Sequence, residues 1–214
     1  MDTTECKHIV CYGDSNTWGF TPATGERMPY GQRWTSIVAE KLGPGYRIIP
    51  EGLNGRTTVF EDPVEAGRNG LDYLHPCLVT HHPVDAVVFM LGTNDTKHRF
   101  GLLAVDIALG LKRLVKTVLA GGYGPAGRPP KIGIIAPPVV NEWIMDGPFL
   151  GSHEISTKLA QEYQSVAREF GCAFLDAGER IFCTMPDGIH IDSQAHALLG
   201  SMVAEWIGRE LLPG

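Results

Sequence analysis

Short apolar runs that stop abruptly at glycine or proline constrain this chain most. His8 to Tyr12 ends at Gly13, Asp85 to Leu91 at Gly92, and Lys131 to Ala136 at Pro137-Pro138. The second is rich in Val and Phe and lacks in–out alternation, as expected of a strand covered on both faces. Arg47 to Pro50 and Cys172 to Leu175 read as two shorter strands. Between the runs the period changes to that of a helix. Trp34, Ile37, Val38 and Leu42 share a face, and Gly43-Pro44-Gly45 stops it. Leu103, Ile107, Leu111, Leu114 and Val118 form a long stripe. A further helix is predicted from about Ser156 to Phe170, with Leu159, Tyr163, Val166 and Phe170 inward. The last starts near Ser193 as N-cap and turns Leu198, Leu199, Met202, Val203, Trp206 and Ile207 inward. Residues 123–130 read as a surface loop and 139–151 as a long irregular stretch. Strand and helix thus alternate about five times, which implies an α/β fold with a parallel sheet and helices on both faces.

The remaining composition narrows the setting. The 214 residues show no repeat or linker, so a single domain over 1–214 is expected. The net charge is -6 and no Lys/Arg run occurs, which argues against a nucleic-acid partner. Met1 to Glu5 is polar and acidic, unlike a signal peptide, and no apolar run could span a bilayer, so no membrane partner is expected. Five cysteines without a C-x-x-C pair fit free thiols in a reducing cytoplasm.

Reactive residues gather where the strands end, which is where sites form in such sheets. Gly13-Asp14-Ser15-Asn16-Thr17 follows the first strand. Gly52-Leu53-Asn54-Gly55-Arg56-Thr57 follows the second, and Gly92-Thr93-Asn94-Asp95 the third. Asp187-Gly188-Ile189-His190 precedes the last helix. A serine hydroxyl needs a base to become a nucleophile. Ser15 can be that nucleophile, His190 its base, and Asp187 the group that orients the imidazole and stabilises its cation. The Ser15 and Gly55 backbone N–H groups and the Asn94 side-chain amide are candidate donors to an oxyanion.

These blocks, in this order, resemble the SGNH (GDSL-like) hydrolases, on Ser15 in "YGDSNTWG", Gly55 in "EGLNGRTT", Asn94 in "MLGTNDTK" and His190 in "DGIHID". The resemblance covers nearly the whole chain. It implies a three-layer α/β/α sandwich with a five-stranded, flavodoxin-like parallel sheet. It also implies a Ser15–His190–Asp187 triad, an oxyanion hole of Ser15, Gly55 and Asn94, and esterase chemistry without metal or cofactor. The strings "EGLNGRTT", "MLGTNDTK" and "DIALG" are similar to those of bacterial arylesterases that also act as acyltransferases and perhydrolases. That branch implies short acyl groups, a narrow apolar cleft and a homo-oligomer. The chain departs from the GDSL pattern at Asn16, where Leu is usual, and carries Gly55 where close members have Ala.

The expected function is therefore hydrolysis of short-chain acyl esters of aryl, alkyl or sugar alcohols, a small-molecule ester being the partner. Transfer to a second alcohol or to peroxide is the finer expectation. Asp14, Asn16, Trp18, Thr93, Ile189 and Ile191 are the candidate substrate-binding residues, with Asp14 and Asp95 also read as loop-ordering acceptors. Trp143 is a second aromatic candidate for a pocket or a subunit contact. The histidines form no H-E-x-x-H motif, so no metal is expected. The rival reading is a non-catalytic nucleotide or carbohydrate binder. Its best support is a near-miss to a P-loop at Gly55-Arg56-Thr57, with Pro50 where the first glycine belongs.

Overall fold

The computed structural model describes residues 6–213. The acidic start at Met1 to Glu5 lies outside the described residues. Among the described residues five strands form one sheet: β1 (Lys7–Gly13), β2 (Tyr46–Gly52), β3 (Ala86–Met90), β4 (Lys131–Ala136) and β5 (Ala173–Asp176). Their order is β2-β1-β3-β4-β5 and every pairing is parallel. This is the flavodoxin-like doubly wound order, whose direction switches between β1 and β3. The helices are α1 (Ser15–Trp18), α2 (Trp34–Leu42), α3 (Gly70–Thr80), α4 (Ala104–Ala120), α5 (Ser152–Phe170) and α6 (Ser193–Trp206).

The strands lack alternation because both faces are buried. Val10, Tyr12, Val87 and Phe89 join Leu74, Ile107, Leu111, Leu159 and Tyr163 under α3, α4 and α5. Ile9, Cys11, Val88 and Met90 join Trp34, Val38, Leu199 and Val203 under α2 and α6. Two apolar cores flank one sheet, completing the expected α/β/α sandwich. All five cysteines are free. No helix among the described residues is long and apolar enough to cross a membrane.

Several boundaries differ from the sequence reading for local reasons. β2 runs on through Pro50 to Gly52. It is an edge strand, where the missing N–H costs no ladder bond. Helix α3 has no counterpart in the sequence reading. Pro76 lies inside it, yet Leu74, Cys77 and Leu78 still bury one face, and Asn69 caps its start by accepting from Leu71 N. Helix α5 begins at Ser152, whose hydroxyl donates to the Thr96 carbonyl at 2.9 Å. The cap of α6 is Asp192, which accepts from Ala195 N at 2.9 Å, and Ser193 is the first helical residue. Leu103, placed on the inward stripe of α4, is 65% exposed, because it precedes the first helical turn.

The loop between β2 and α3 is pinned by an ionic cluster built on buried Asp62 and Lys97. Asp62 accepts from Arg99 at 2.6 Å and from Lys97 at 3.5 Å, and Glu65 accepts from both at 3.0 and 3.2 Å. Burial raises the Asp62 carboxyl. The Val64 and Glu65 amides, Arg99 and Lys97 outweigh it and bring the carboxyl down to about 2.

Two predictions follow from this packing. Gly200 in α6 sits where an added Cβ would lie 2.8 Å from the Trp34 carbonyl oxygen and 2.7 Å from Ile37 Cβ. Alanine gains about 1 kcal/mol of helix propensity, but overpacking against backbone costs about 1–3 kcal/mol. Gly200→Ala should therefore lower the melting temperature by a few degrees, read by circular dichroism; an unchanged or raised value would refute the tight α2–α6 contact. Asp62→Ala leaves the buried Lys97 ammonium with half-exposed Glu65 as its one remaining carboxylate, so urea unfolding at pH 7 should show a loss of about 1.5–3 kcal/mol, the range for charged hydrogen bonds. The folded carboxyl titrates below the unfolded one, so its contribution is complete above the ordinary range and fades as pH falls from about 4 toward 2. The variant's unfolding free energy should therefore vary less than the wild type's across that window.

Candidate active site

Parallel register brings the reactive loops together. Gly13 at the end of β1 is level with Gly52 on β2 and Met90 on β3. Neighbouring strands lie about 4.8 Å apart, so the loops that follow emerge side by side. Gly13 is required there. An added Cβ would strike the Thr17 side chain and lie 2.9 Å from the Met90 carbonyl oxygen. Asp14 caps the short helix α1 by accepting from Asn16 N at 3.0 Å, which leaves Ser15 as its first residue.

The Ser15 hydroxyl lies 2.7 Å from His190 Nε2, across 175 residues of sequence. His190 Nδ1 lies 2.7 Å from Asp187 Oδ2. An ionised carboxylate only accepts, so Nδ1 carries the proton and Nε2 is free to accept from Ser15. The second carboxylate oxygen, Oδ1, accepts from the Ile189 and His190 amides at 2.9 and 3.0 Å. One carboxylate thus orders both the ring and the loop that carries it. Burial raises the Asp187 carboxyl, but the His190 ring and those two amides outweigh it and hold it below its ordinary value.

Asn16 completes this frame. Its Nδ2 donates to the Ile189 carbonyl at 3.3 Å, and its Oδ1 accepts from Ile191 N at 3.2 Å. The sequence reading counted Asn16 among the candidate substrate-binding residues. It is 2% exposed, and each end of its amide makes a hydrogen bond to the His190 loop, so it clips that loop to the segment carrying Ser15.

The side that carries Gly55 and Asn94 is braced as firmly. Gly55 has φ 79°, a left-handed conformation that favours glycine. Asn94 opens a single 3₁₀ turn after β3, and its Nδ2 donates to the Arg56 carbonyl at 3.2 Å. The neighbouring Asp95 accepts from Thr58 N at 2.9 Å and also from the Thr58 hydroxyl. Two ties therefore join the Asn94 turn to the Gly55 loop. Burial pushes both Asp14 and Asp95 up to about 6. Arg56 is buried, donates to the Gly13 and Glu51 carbonyls, and lies 4.1 Å over the Tyr12 ring. A guanidinium engaged beneath the loop cannot cradle a phosphate above it, which removes the support for a nucleotide binder.

The other candidate substrate residues divide. Ile191 is fully buried in the core under α6, so it cannot form a pocket wall. Asp14 and Thr93 are 2% exposed, Asp14 immediately before Ser15 and Thr93 immediately before Asn94. Trp18 lies 5.0 Å under the Arg27 guanidinium, which also donates to its carbonyl at 2.9 Å. Ile189 lines a bay of about 480 Å³ with Asp187, Trp143, Met145, Phe149 and Met185. Trp143, Met145 and Met185 stand 69%, 81% and 61% exposed on its rim. The sequence reading missed Phe20, whose ring centroid is 4.2 Å from that of His190. Its closeness to Ser15 in sequence was the one available signal, and Trp18 drew the attention instead.

Among the described residues Glu51, Cys77 and His81 place three ligand-type atoms within 4.8 Å of one another. His81 Nε2 is already hydrogen-bonded to Glu51 at 2.7 Å, and burial pushes the Cys77 thiol up to about 12. The group therefore reads as a tie between α3 and β2.

Comparison with known proteins agrees with this geometry. The family model for the GDSL-like lipase/acylhydrolase family matches residues 11–198. A carbohydrate acetylesterase from Sinorhizobium meliloti is 39% identical, with TM-score 0.90 over 94% of this chain and 98% of that one. The aryl esterase of M. smegmatis is 40% identical, with TM-score 0.90 over 97% of this chain and 100% of that one. Among curated proteins no match is found. With the family model spanning most of the sequence and two such relatives aligned nearly end to end, this chain belongs to the GDSL-like lipase/acylhydrolase family and is a carboxylic ester hydrolase.

Proposed function

We propose that the chain hydrolyses short-chain acyl esters through an acyl-enzyme on Ser15, with His190 as general base and acid and Asp187 as its orienting carboxylate. The observation that carries this reading is the unbroken chain from Ser15 Oγ to His190 to Asp187, both links 2.7 Å. Ser15 Oγ attacks the ester carbonyl while its proton passes to His190 Nε2. The negative oxygen of the tetrahedral intermediate takes hydrogen bonds from the Ser15 and Gly55 amides and from Asn94 Nδ2. Collapse breaks the bond to the alcohol oxygen, which leaves with the proton from His190. Water then attacks the acyl-enzyme, gives its proton to His190, and releases the acid. Base catalysis of this kind is worth about 10²–10⁴-fold.

A short acyl group fits the closed surroundings of the nucleophile. Ser15 is 6% exposed, and Asn16, Thr93 and Asn94 are exposed by 5% or less. The apolar bay beside Asp187 also has room for an organic alcohol as the second acceptor beside water. In that case the same steps return a new ester in place of the acid. Of the two named relatives, one is a carbohydrate acetylesterase and the other an aryl esterase, which supports ester hydrolysis and, from the first, an acetyl group.

Ser15→Ala should cut p-nitrophenyl acetate turnover by at least about 1,000-fold with the melting temperature retained. Near-normal turnover would end the triad reading. Asn94→Ala should lower kcat by about 10²–10³-fold and change KM by much less, because its donor matters most when the oxygen is charged. A rise in KM alone would make Asn94 a binding residue. Across acetate, butyrate and hexanoate esters, kcat/KM should fall with chain length, and equal values for all three would exclude a closed acyl pocket.

A further inference from the structure

We propose that Phe20 is a positioning residue that fixes the plane of the His190 imidazole from the nucleophile's own side of the site. The inference rests on the triad reading above. The Phe20 and His190 rings are 4.2 Å apart between centroids and tilted by 30°. This is close, nearly stacked contact for two aromatic rings.

The need for such a contact follows from the hydrogen bonds. The ring is held at Nδ1 by Asp187 and at Nε2 by Ser15. Both bonds lie in the ring plane, at opposite edges. They fix where the edges are, yet they leave the ring free to rock about the line that joins them. A flat surface on one face stops that motion. It also keeps water off that face and presents π density to the imidazolium that forms in each proton transfer.

Phe20 is itself held. Gly19, with φ 91°, ends α1 and turns the chain. Phe20 N then donates to the Ser15 carbonyl at 3.0 Å. On its far side Phe20 forms an antiparallel bridge with Arg27, and Thr21 N donates to the Glu26 carbonyl at 3.0 Å. The ring that rests on the base is therefore carried by a turn bonded to the nucleophile. Asn16 ties the base's backbone to the same helix, and Phe20 supports its side chain.

The test compares Phe20→Leu, Phe20→Trp and Ser15→Ala on p-nitrophenyl acetate from pH 5 to 9. Phe20→Leu should lower kcat by about tenfold with KM within about threefold, because misorientation costs rate more than binding. Losing the aromatic face destabilises the imidazolium, so the acid-side midpoint of kcat/KM should move to lower pH by about half a unit. The other titratable groups near the imidazole are Asp187 on its own loop, Asp14 beside the nucleophile and His196 on α6, and the substitution leaves them all in place. Phe20→Trp should restore kcat and the midpoint. An unchanged kcat and midpoint in Phe20→Leu, a loss confined to KM, or no rescue by Trp would each overturn the proposal. Should Phe20→Leu fail to fold, judged by its melting curve, Phe20→Met replaces it with the same expected outcomes. Ser15→Ala separates the two claims: if it stays active the triad reading fails, and if it is inactive while Phe20→Leu behaves as wild type, only the role of Phe20 fails.

Discussion

The parallel register around β1 is the constraint on which the rest depends. Gly13 is level with Gly52 on one side and Met90 on the other. A slip of one residue would turn Val10 and Tyr12 toward α2 and α6 and carry Ser15 out of line with Gly55 and Asn94. Two separate apolar cores oppose such a slip, because each strand residue has a partner layer on its own face. The sheet therefore sets where the segments carrying Ser15, Gly55 and Asn94, the proposed nucleophile and oxyanion donors, leave their strands.

The base needs a different solution, since His190 follows no strand. Its loop is held by short-range bonds within 187–190 and by long-range ones to Asn16 and Ser15. The polar frame is dense and buried. Asp14 Oδ2, Thr93 Oγ1 and Arg56 Nε are buried without a partner. Unpaired buried polar atoms oppose folding by about 1–3 kcal/mol each. Asp14 and Asp95, pushed up to about 6 by burial, add to that cost at neutral pH, where both lose their protons in the unfolded chain more easily than in the folded one. The layered cores carry the stability that such a site subtracts.

How much of this was legible in the sequence follows from contact range. Strands buried on both faces announce themselves as apolar runs, so the sheet and its class were readable. Asp187 and His190 are three residues apart, and the spacing itself is a signal. The Ser15, Gly55 and Asn94 blocks each follow a strand, and topology alone suggests that they meet. Asn16 was legible as a departure from a pattern but not as a clip, because its partners Ile189 and Ile191 lie 173 and 175 residues away. Phe20 and Arg56 act through a ring face and a buried guanidinium, and neither leaves any periodicity. Helix α3 was hidden by Pro76, which reads as a breaker until the buried face of Leu74, Cys77 and Leu78 is seen.

The proposed catalytic residues and the bay beside them are built on different parts of the molecule. Ser15, His190, Gly55 and Asn94 sit on segments cross-braced by hydrogen bonds. The bay beside them is made by 143–149 and 185–189, which are irregular, apolar and partly exposed. Just before the first segment Asn141 N donates to the Gly188 carbonyl at 2.8 Å, and His98 N donates to the Pro148 carbonyl at 2.9 Å near the segment's far end. Side chains such as Trp143 and Met145 extend from that span without polar ties of their own. Their substitution can reshape the bay without disturbing a triad bond. A catalytic frame set by sheet register, beside a rim free to vary, is a physical reason why chains so alike can act on carbohydrate acetates in one case and aryl esters in another.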